Sequence, residues 1–186
     1  TVLVLMSSLV LAACQNGSDD NDQSASSTTA VDQEITVQFS AEMGSADISW
    51  ATDSYSFITL NNADEGLYRL DENNEPIIAG ASEEAAVSED GLTYTVNLRE
   101  DAKWSNGDPV TAADYVFSWQ RTVDPATGSN YAYMLELVKN AAAIADGSMD
   151  KTELGLEAEG DYTVNITLDK PTPYFLSLLA FPTFFP

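Results

Sequence analysis

The sequence predicts a fold of the α/β class, mixed α+β, on the strength of two patterns. Residues 92–98 and 162–168 each alternate apolar and polar side chains, the period of a strand with one buried and one solvated face. Between them, residues 112–119 repeat apolar side chains at helical spacing. We expect the two strands to lie in one sheet.

The composition limits the classes of function that are open to the chain. The chain has 186 residues, 44% of them hydrophobic, which is enough for the core of one or two domains. The 7 Lys and Arg against 30 Asp and Glu give a net charge of -23, which repels phosphate backbones and argues against nucleic-acid partners. The absence of histidine excludes His general bases, His triads and His metal sites. We expect neither a metal nor a cofactor.

The N-terminal stretch reads as an export signal. Residues 1–13 are apolar but too short to span a bilayer as a mature helix, so we predict a partial signal peptide. Leu11-Ala12-Ala13-Cys14 resembles a bacterial lipobox, which implies cleavage before Cys14 and lipidation of its thiol. A buried thiol in a core strand is the alternative. Residues 14–31 then continue as a polar tether, expected to be disordered.

Folded sequence is expected from about Glu34. Alternation of Ile35, Val37 and Phe39 predicts a strand. Further patterns predict a short helix at 55–60 ending before Asn61-Asn62, a strand at 67–70, a turn at 71–74 and one helical turn at 81–88.

The middle of the chain carries the clearest local signals. Asn106-Gly107 supplies a positive-φ turn after the strand at 92–98. Thr111, three residues before Asp114, resembles a capping box and opens a helix that Asp124-Pro125 should stop. Trp104, in the turn, and Trp119, on the helix, are read as core residues.

The remaining elements follow the same logic. Apolar residues from Tyr131 to Ala145 recur at helical spacing and predict one helix that Gly147 ends. Residues 174–179 predict a short apolar helix. The aromatic run at 181–185 would form an exposed sticky patch if the chain stopped there, so we expect a truncated gene product that folds poorly alone.

One segment points to a family. Residues 90–121 read DGLTYTVNLREDAKWSNGDPVTAADYVFSWQR. They resemble the signature of the oligopeptide-binding lipoproteins of peptide ABC importers, solute-binding protein family 5. Shorter strings such as EGLYRLD and PTPYFLSLL are also similar, especially to Gram-positive members. Ala79 and Gly44 depart from the family, which often has Pro at these places.

The resemblance implies a periplasmic-binding-protein-like fold of two lobes, type II, of which this chain is an N-terminal fragment. Residues 32–66 would be the start of lobe one. Residues 67–180 would form an inserted subdomain, and residues 181–186 would return to lobe one.

The resemblance also implies a function. The family captures oligopeptides by backbone pairing in a cleft between the lobes and delivers them to the permease subunits of an ABC importer. No bond is made or broken, so no enzyme activity is expected. The protein would be a monomer, held by the lipid on Cys14 at the outer face of the bacterial plasma membrane, on a Gram-positive cell surface.

The family's motifs place the ligand site. The segment Glu42-Met43-Gly44-Ser45 matches the stretch whose backbone lines the peptide. Glu42 could also meet a positive group on the ligand, or be an exposed rim carboxylate. Tyr131 matches a tyrosine that contacts the peptide from the other side of the cleft.

Two alternatives stay open. The ligand of this family could be a signalling peptide such as a pheromone, or a nickel chelate or sugar. From another class, an acidic surface enzyme acting on carbohydrate would need two facing carboxylates, one with a raised pKa. The sequence offers 30 acidic residues and no way to pair them.

Overall fold

A computed structural model of the chain describes residues 34–186. The predicted signal peptide at 1–13, the lipidation site Cys14 and the tether at 14–31 lie outside the described residues. Gln38–Pro186 forms one compact unit. Within residues 34–186, no helix has both the length and the apolarity needed to cross a membrane.

The helices and strands of residues 34–186 are short, and the strands pair only in antiparallel fashion. The helices are α1 (Ser54–Ala63), α2 (Ala112–Val123), α3 (Ala141–Ala145) and α4 (Phe175–Leu178), with 3-10 helices at Ala132–Leu137, Lys151–Glu153 and Pro182–Phe184. The strands are β1 (Tyr68–Leu70), β2 (Pro76–Ile78), β3 (Ala86–Val87), β4 (Thr93–Asn97), β5 (Leu156–Glu159) and β6 (Thr163–Thr167).

A four-stranded antiparallel sheet, in the order β3-β4-β6-β5, forms the centre of the unit. The two strands predicted from alternation are neighbours in it, with Val96 opposite Val164 and Tyr94 opposite Ile166. All four of these side chains are buried, as the period of two requires. The prediction that both strands share a sheet is confirmed. β1 and β2 form a separate hairpin.

Helix α2 covers this sheet through β5 and β6. Its predicted capping box is present: the Thr111 side chain accepts from the backbone N–H of Asp114, and the Asp114 carboxylate accepts from the backbone N–H of Thr111 at 2.7 Å. Tyr115 and Trp119 are buried on the inner face of the helix. The helix ends at Val123, as Asp124-Pro125 predicted.

The strand predicted at 34–39 and the helical turn predicted at 81–88 are wrong. Residues 34–39 form no strand, and Ile35 and Val37 are exposed, because alternation makes a strand only where a neighbouring backbone pairs with it. Residues 81–88 do not form a helical turn. Instead Ala86–Val87 is an edge strand paired with β4, where the pairing outweighs the helix propensity of alanine. The predicted short helix at 55–60 exists but continues through Asn61-Asn62 to Ala63.

The helix predicted from Tyr131 to Ala145 is interrupted. A 3-10 helix, Ala132–Leu137, is followed by Val138, which bridges to Leu168, and the N–H of Lys139 donates to the Thr167 carbonyl at 2.9 Å. Asn140 then takes a left-handed φ of 69° before α3 begins. Pairing with the end of β6 therefore breaks one periodic stripe into two short helices.

The aromatic tail is not an exposed patch. Phe184 and Phe185 are 0% and 3% exposed. The Phe184 ring lies 5.2 Å from that of Trp119 at 82°, and the indole Nε1–H donates to the Phe184 carbonyl at 2.9 Å. The expectation of an unpartnered tail is wrong because α2 supplies its partner.

Candidate functional site

The predicted ligand-contacting segment lies at the surface, next to the start of α1. Glu42, Met43 and Gly44 are exposed, and Ser45 is half-buried. The N–H of Gly44 donates to Asp53 Oδ2 at 3.2 Å, and that of Ser45 donates to Ser56 Oγ at 3.0 Å. The segment is therefore held at its C-terminal half.

The first half of the segment leaves its backbone free. Among the described residues, the N–H and C=O groups of Glu42 and Met43 have no hydrogen-bond partner. Exposed backbone of this kind can pair with an extended ligand strand. Glu42 is exposed and forms no ion pair with a cation among residues 34–186.

The Asp53 carboxylate connects the candidate segment to the start of α1. Its Oδ1 accepts from the N–H groups of Tyr55 at 3.0 Å and Ser56 at 2.9 Å, which caps α1. Its Oδ2 accepts from Ser56 Oγ at 2.5 Å and from Gly44. These hydrogen bonds, with that of the Ser56 hydroxyl the largest, lower the pKa of the Asp53 carboxyl. One carboxylate thus fixes both the helix start and the candidate segment.

Tyr131 belongs to an aromatic cluster that we define as Phe57, Tyr131, Tyr133 and Phe181. The Tyr131 ring stacks on Phe181 at 5.7 Å and 25°, and meets Phe57 edge-on at 5.5 Å and 82°. Phe57 and Phe181 lie 4.8 Å apart. The Tyr133 ring lies 5.7 Å from that of Tyr131, tilted by 30°. Tyr131 itself is half-buried.

Helix α1 links the two predicted parts of the site. Its first turn holds residues 44–45, and Phe57, four residues after the Asp53 cap, contacts Tyr131. Sequence reasoning missed Asp53, Phe57 and Phe181. An Asp just before a helical stretch is a typical N-cap signal, and this signal was available for Asp53. Nothing local marks the other two, because their partners are distant in the chain.

An ion pair fixes the loop that follows the candidate segment. The Arg121 guanidinium donates to both Asp47 oxygens, at 2.8 and 2.6 Å, and to Ser49 Oγ at 2.9 Å. The Arg121 hydrogen bond is the largest cause that lowers the pKa of Asp47, partly offset by burial. Ser49 Oγ also lies 2.9 Å from Thr122 Oγ1, in the interior. The loop is therefore attached to α2.

A separate cleft of about 460 Å³ opens between the end of α1 and the turn at Trp104. Trp104 is half-buried and lines this cleft, so the prediction that it is a core residue is wrong. The same prediction for Trp119, which is fully buried, is confirmed. Glu65 in this cleft pairs with Arg99 at 2.8 Å, and burial raises the pKa of neighbouring Asp64. The cleft includes neither residues 42–45 nor Tyr131. Residues 34–186 contain no group of three or more acidic, Cys or His side chains able to hold a metal.

Curated relatives match the whole chain. The dipeptide-binding protein of Lactococcus lactis subsp. cremoris is 40% identical over 188 residues, covering 100% of this chain and 32% of the relative. The oligopeptide-binding protein OppA of Bacillus subtilis is 35% identical over 184 residues, covering 99% of this chain and 34% of the relative. The chain thus spans about a third of the length of these relatives.

Solved structures share the fold. Listeria monocytogenes OppA bound to peptide superimposes with a TM-score of 0.79 at 53% identity, over 80% of this chain and 29% of that one. The pheromone receptor PrgZ gives a TM-score of 0.75 at 44% identity, over 76% of this chain and 28% of that one. The model of the family "Bacterial extracellular solute-binding proteins, family 5 Middle" matches residues 75–186. The chain therefore belongs to the family 5 bacterial extracellular solute-binding proteins, and the fold expected from its sequence is confirmed.

Proposed function

We propose that the protein containing this chain captures oligopeptides outside the cytoplasm and delivers them to the permease of an ABC importer. The likeness to Listeria monocytogenes OppA bound to peptide, at 53% identity, carries this proposal. The names of the Lactococcus and Bacillus relatives, a dipeptide-binding and an oligopeptide-binding protein, support it. Peptide capture followed by lobe closure needs no catalytic group, so we propose no enzyme activity.

The geometry supports backbone recognition. The exposed backbone of Glu42 and Met43, which has no hydrogen-bond partner among residues 34–186, suits strand addition by an extended peptide, which reads no particular side chain. Gly44 and Ser45, hydrogen-bonded to Asp53 and Ser56, would keep that edge in place. Tyr131 would contact the ligand from its aromatic cluster. Glu42 would lie at the rim, where it could pair with a ligand cation.

The cellular setting completes the proposal. Lipidation of Cys14 would anchor the protein, as a monomer, at the outer face of the plasma membrane of a Gram-positive cell, beside its permease. The two relatives that match nearly the whole chain come from Lactococcus lactis and Bacillus subtilis, which supports the Gram-positive part of this proposal. We also propose that residues 32–66 start lobe one, residues 67–180 form its inserted subdomain, and residues 181–186 return to the lobe.

The test uses the complete mature protein. It would be purified under native conditions, its co-purified ligands identified by mass spectrometry, and peptide binding measured by calorimetry. We expect a mixture of peptides. Replacing Met43 by Pro should weaken binding of all peptides alike, because Pro removes a backbone donor from the exposed edge. If no peptide binds, the proposal is overturned.

A pheromone receptor is the second candidate, and the likeness to PrgZ at 44% identity favours it. The same purification separates the two, because a pheromone receptor would carry one defined peptide instead of a mixture. Turnover of a glycoside by the purified protein would instead indicate the carbohydrate-active alternative.

A further inference from the structure

The outer end of the aromatic cluster is open to solvent. The Tyr131 ring lies 5.7 Å from two other rings: it stacks on Phe181 at 25°, and Tyr133 is tilted against it by 30°. Phe181 is half-buried, whereas Tyr133 is 60% exposed. A buttressed ring with an exposed surface is a site at which a planar or cationic group can stack.

A carboxylate lies on the same side of the backbone. Tyr133 and Glu136 both belong to the 3-10 helix Ala132–Leu137. Side chains three residues apart eclipse each other in a 3-10 helix, so the two share one face. Glu136 is exposed, and it is absent from the ion pairs formed among residues 34–186. A stacking surface and a free negative charge therefore occur together.

We infer that Tyr133 and Glu136 form a subsite for a cationic side chain of the ligand, and for the guanidinium of arginine above all. Guanidinium stacks on an aromatic face and also pairs with a carboxylate in its own plane, which matches the two groups present. The net charge of -23 adds a long-range attraction for cationic ligands. The inference rests on the proposed function, because it places the subsite one ring away from Tyr131.

The experiment compares charged and neutral versions of one ligand on the complete mature protein. Alanine pentapeptides carry either arginine or its uncharged isostere citrulline at each position in turn, and calorimetry gives both affinities at low salt. We expect arginine to bind tighter at one position only. The advantage should be about two- to fivefold from the attraction of the cation to the Tyr133 ring, and the exposed ion pair should add a factor of similar size.

Two variants test the assignment. Tyr133→Leu should remove the part of the preference that comes from the cation over the aromatic ring, and Glu136→Gln should remove the part that falls as salt is raised. Matched controls are Tyr174→Leu, at a tyrosine 59% exposed elsewhere on the surface, and Glu157→Gln, at an exposed carboxylate on β5. Both controls should leave the arginine-to-citrulline ratio unchanged.

The outcomes separate the two proposals. If peptides bind but arginine and citrulline are equal, or if neither Tyr133→Leu nor Glu136→Gln changes their ratio, the subsite is wrong and peptide capture stands. If the two controls reduce the preference as much as the test variants, general charge and not this subsite explains it, and the assignment fails. If no peptide binds, the proposed function fails and the subsite falls with it.

Discussion

Removal of the Phe184 ring gives the sharpest test of how the aromatic tail is packed. Phe184 is fully buried and meets Trp119 edge-on at 5.2 Å. The lost transfer free energy is about 2 kcal/mol. The cavity left behind brings the expected cost of Phe184→Ala to about 3–5 kcal/mol. The backbone carbonyl that accepts from the Trp119 indole remains in the variant, so the change reports on the ring alone.

The measurement is urea unfolding of the complete mature protein, together with hydrogen exchange of the peptides that cover α2. Phe184→Ala should lower the unfolding midpoint and weaken the protection of α2. Phe117→Ala is the matched control, because it removes the same ring from the middle of α2, where Phe117 is 69% exposed. Its loss of unfolding free energy should stay within about 0.5 kcal/mol. A Phe184→Ala cost below about 1 kcal/mol, or one equal to the control, would refute the packing argument.

Three further predictions concern stability, each measured by chemical or thermal unfolding. Asp114→Ala should cost about 0.5–2 kcal/mol by removing the α2 capping box, whereas Asp114→Glu should recover most of it. The pKa of Asp47 is lowered in the folded state, so its bond to Arg121 contributes stability that is complete above the ordinary pKa of 3.8 and is lost as pH falls through the folded value. Asp47→Asn should therefore reduce the loss of unfolding free energy at acid pH. The same loss in the variant and the wild type would contradict this prediction. Gly66→Ala would place a Cβ 2.4 Å from the Phe185 ring and should cost about 1–3 kcal/mol, whereas wild-type stability would show that the tail is not packed there.

Local patterns predicted the centre of the fold well. The alternation at 92–98 and 162–168 places Val96 and Val164 opposite each other in the core, and the Thr111–Asp114 spacing gave a true capping box. Such features need only neighbours in sequence. The same method failed at 35–39, where alternation exists without a paired strand, and at 81–88, where helix-favouring residues form an edge strand. In both places, pairing with another segment decides the outcome.

The candidate site was predicted only in part. The family motifs pointed to residues 42–45 and Tyr131, and their ligand contacts stay predictions. Their supports were not foreseeable from local pattern, because Phe57, Tyr131 and Phe181 are far apart in the chain and meet only after folding. Periodicity placed Tyr131 in one long helix, whereas the bridge from Val138 to Leu168 ends that helix early.

By itself, the sequence determined the strands and the helix at the centre of the fold, the cap of α2 and the family, because side-chain period, capping chemistry and literal motifs are properties of contiguous residues. The tertiary structure decided the break at Asn140, the burial of Phe184 and the joining of residues 44–45 and Tyr131 through α1. These features depend on backbone pairing and ring packing between distant segments, and those contacts form only when the chain closes its core.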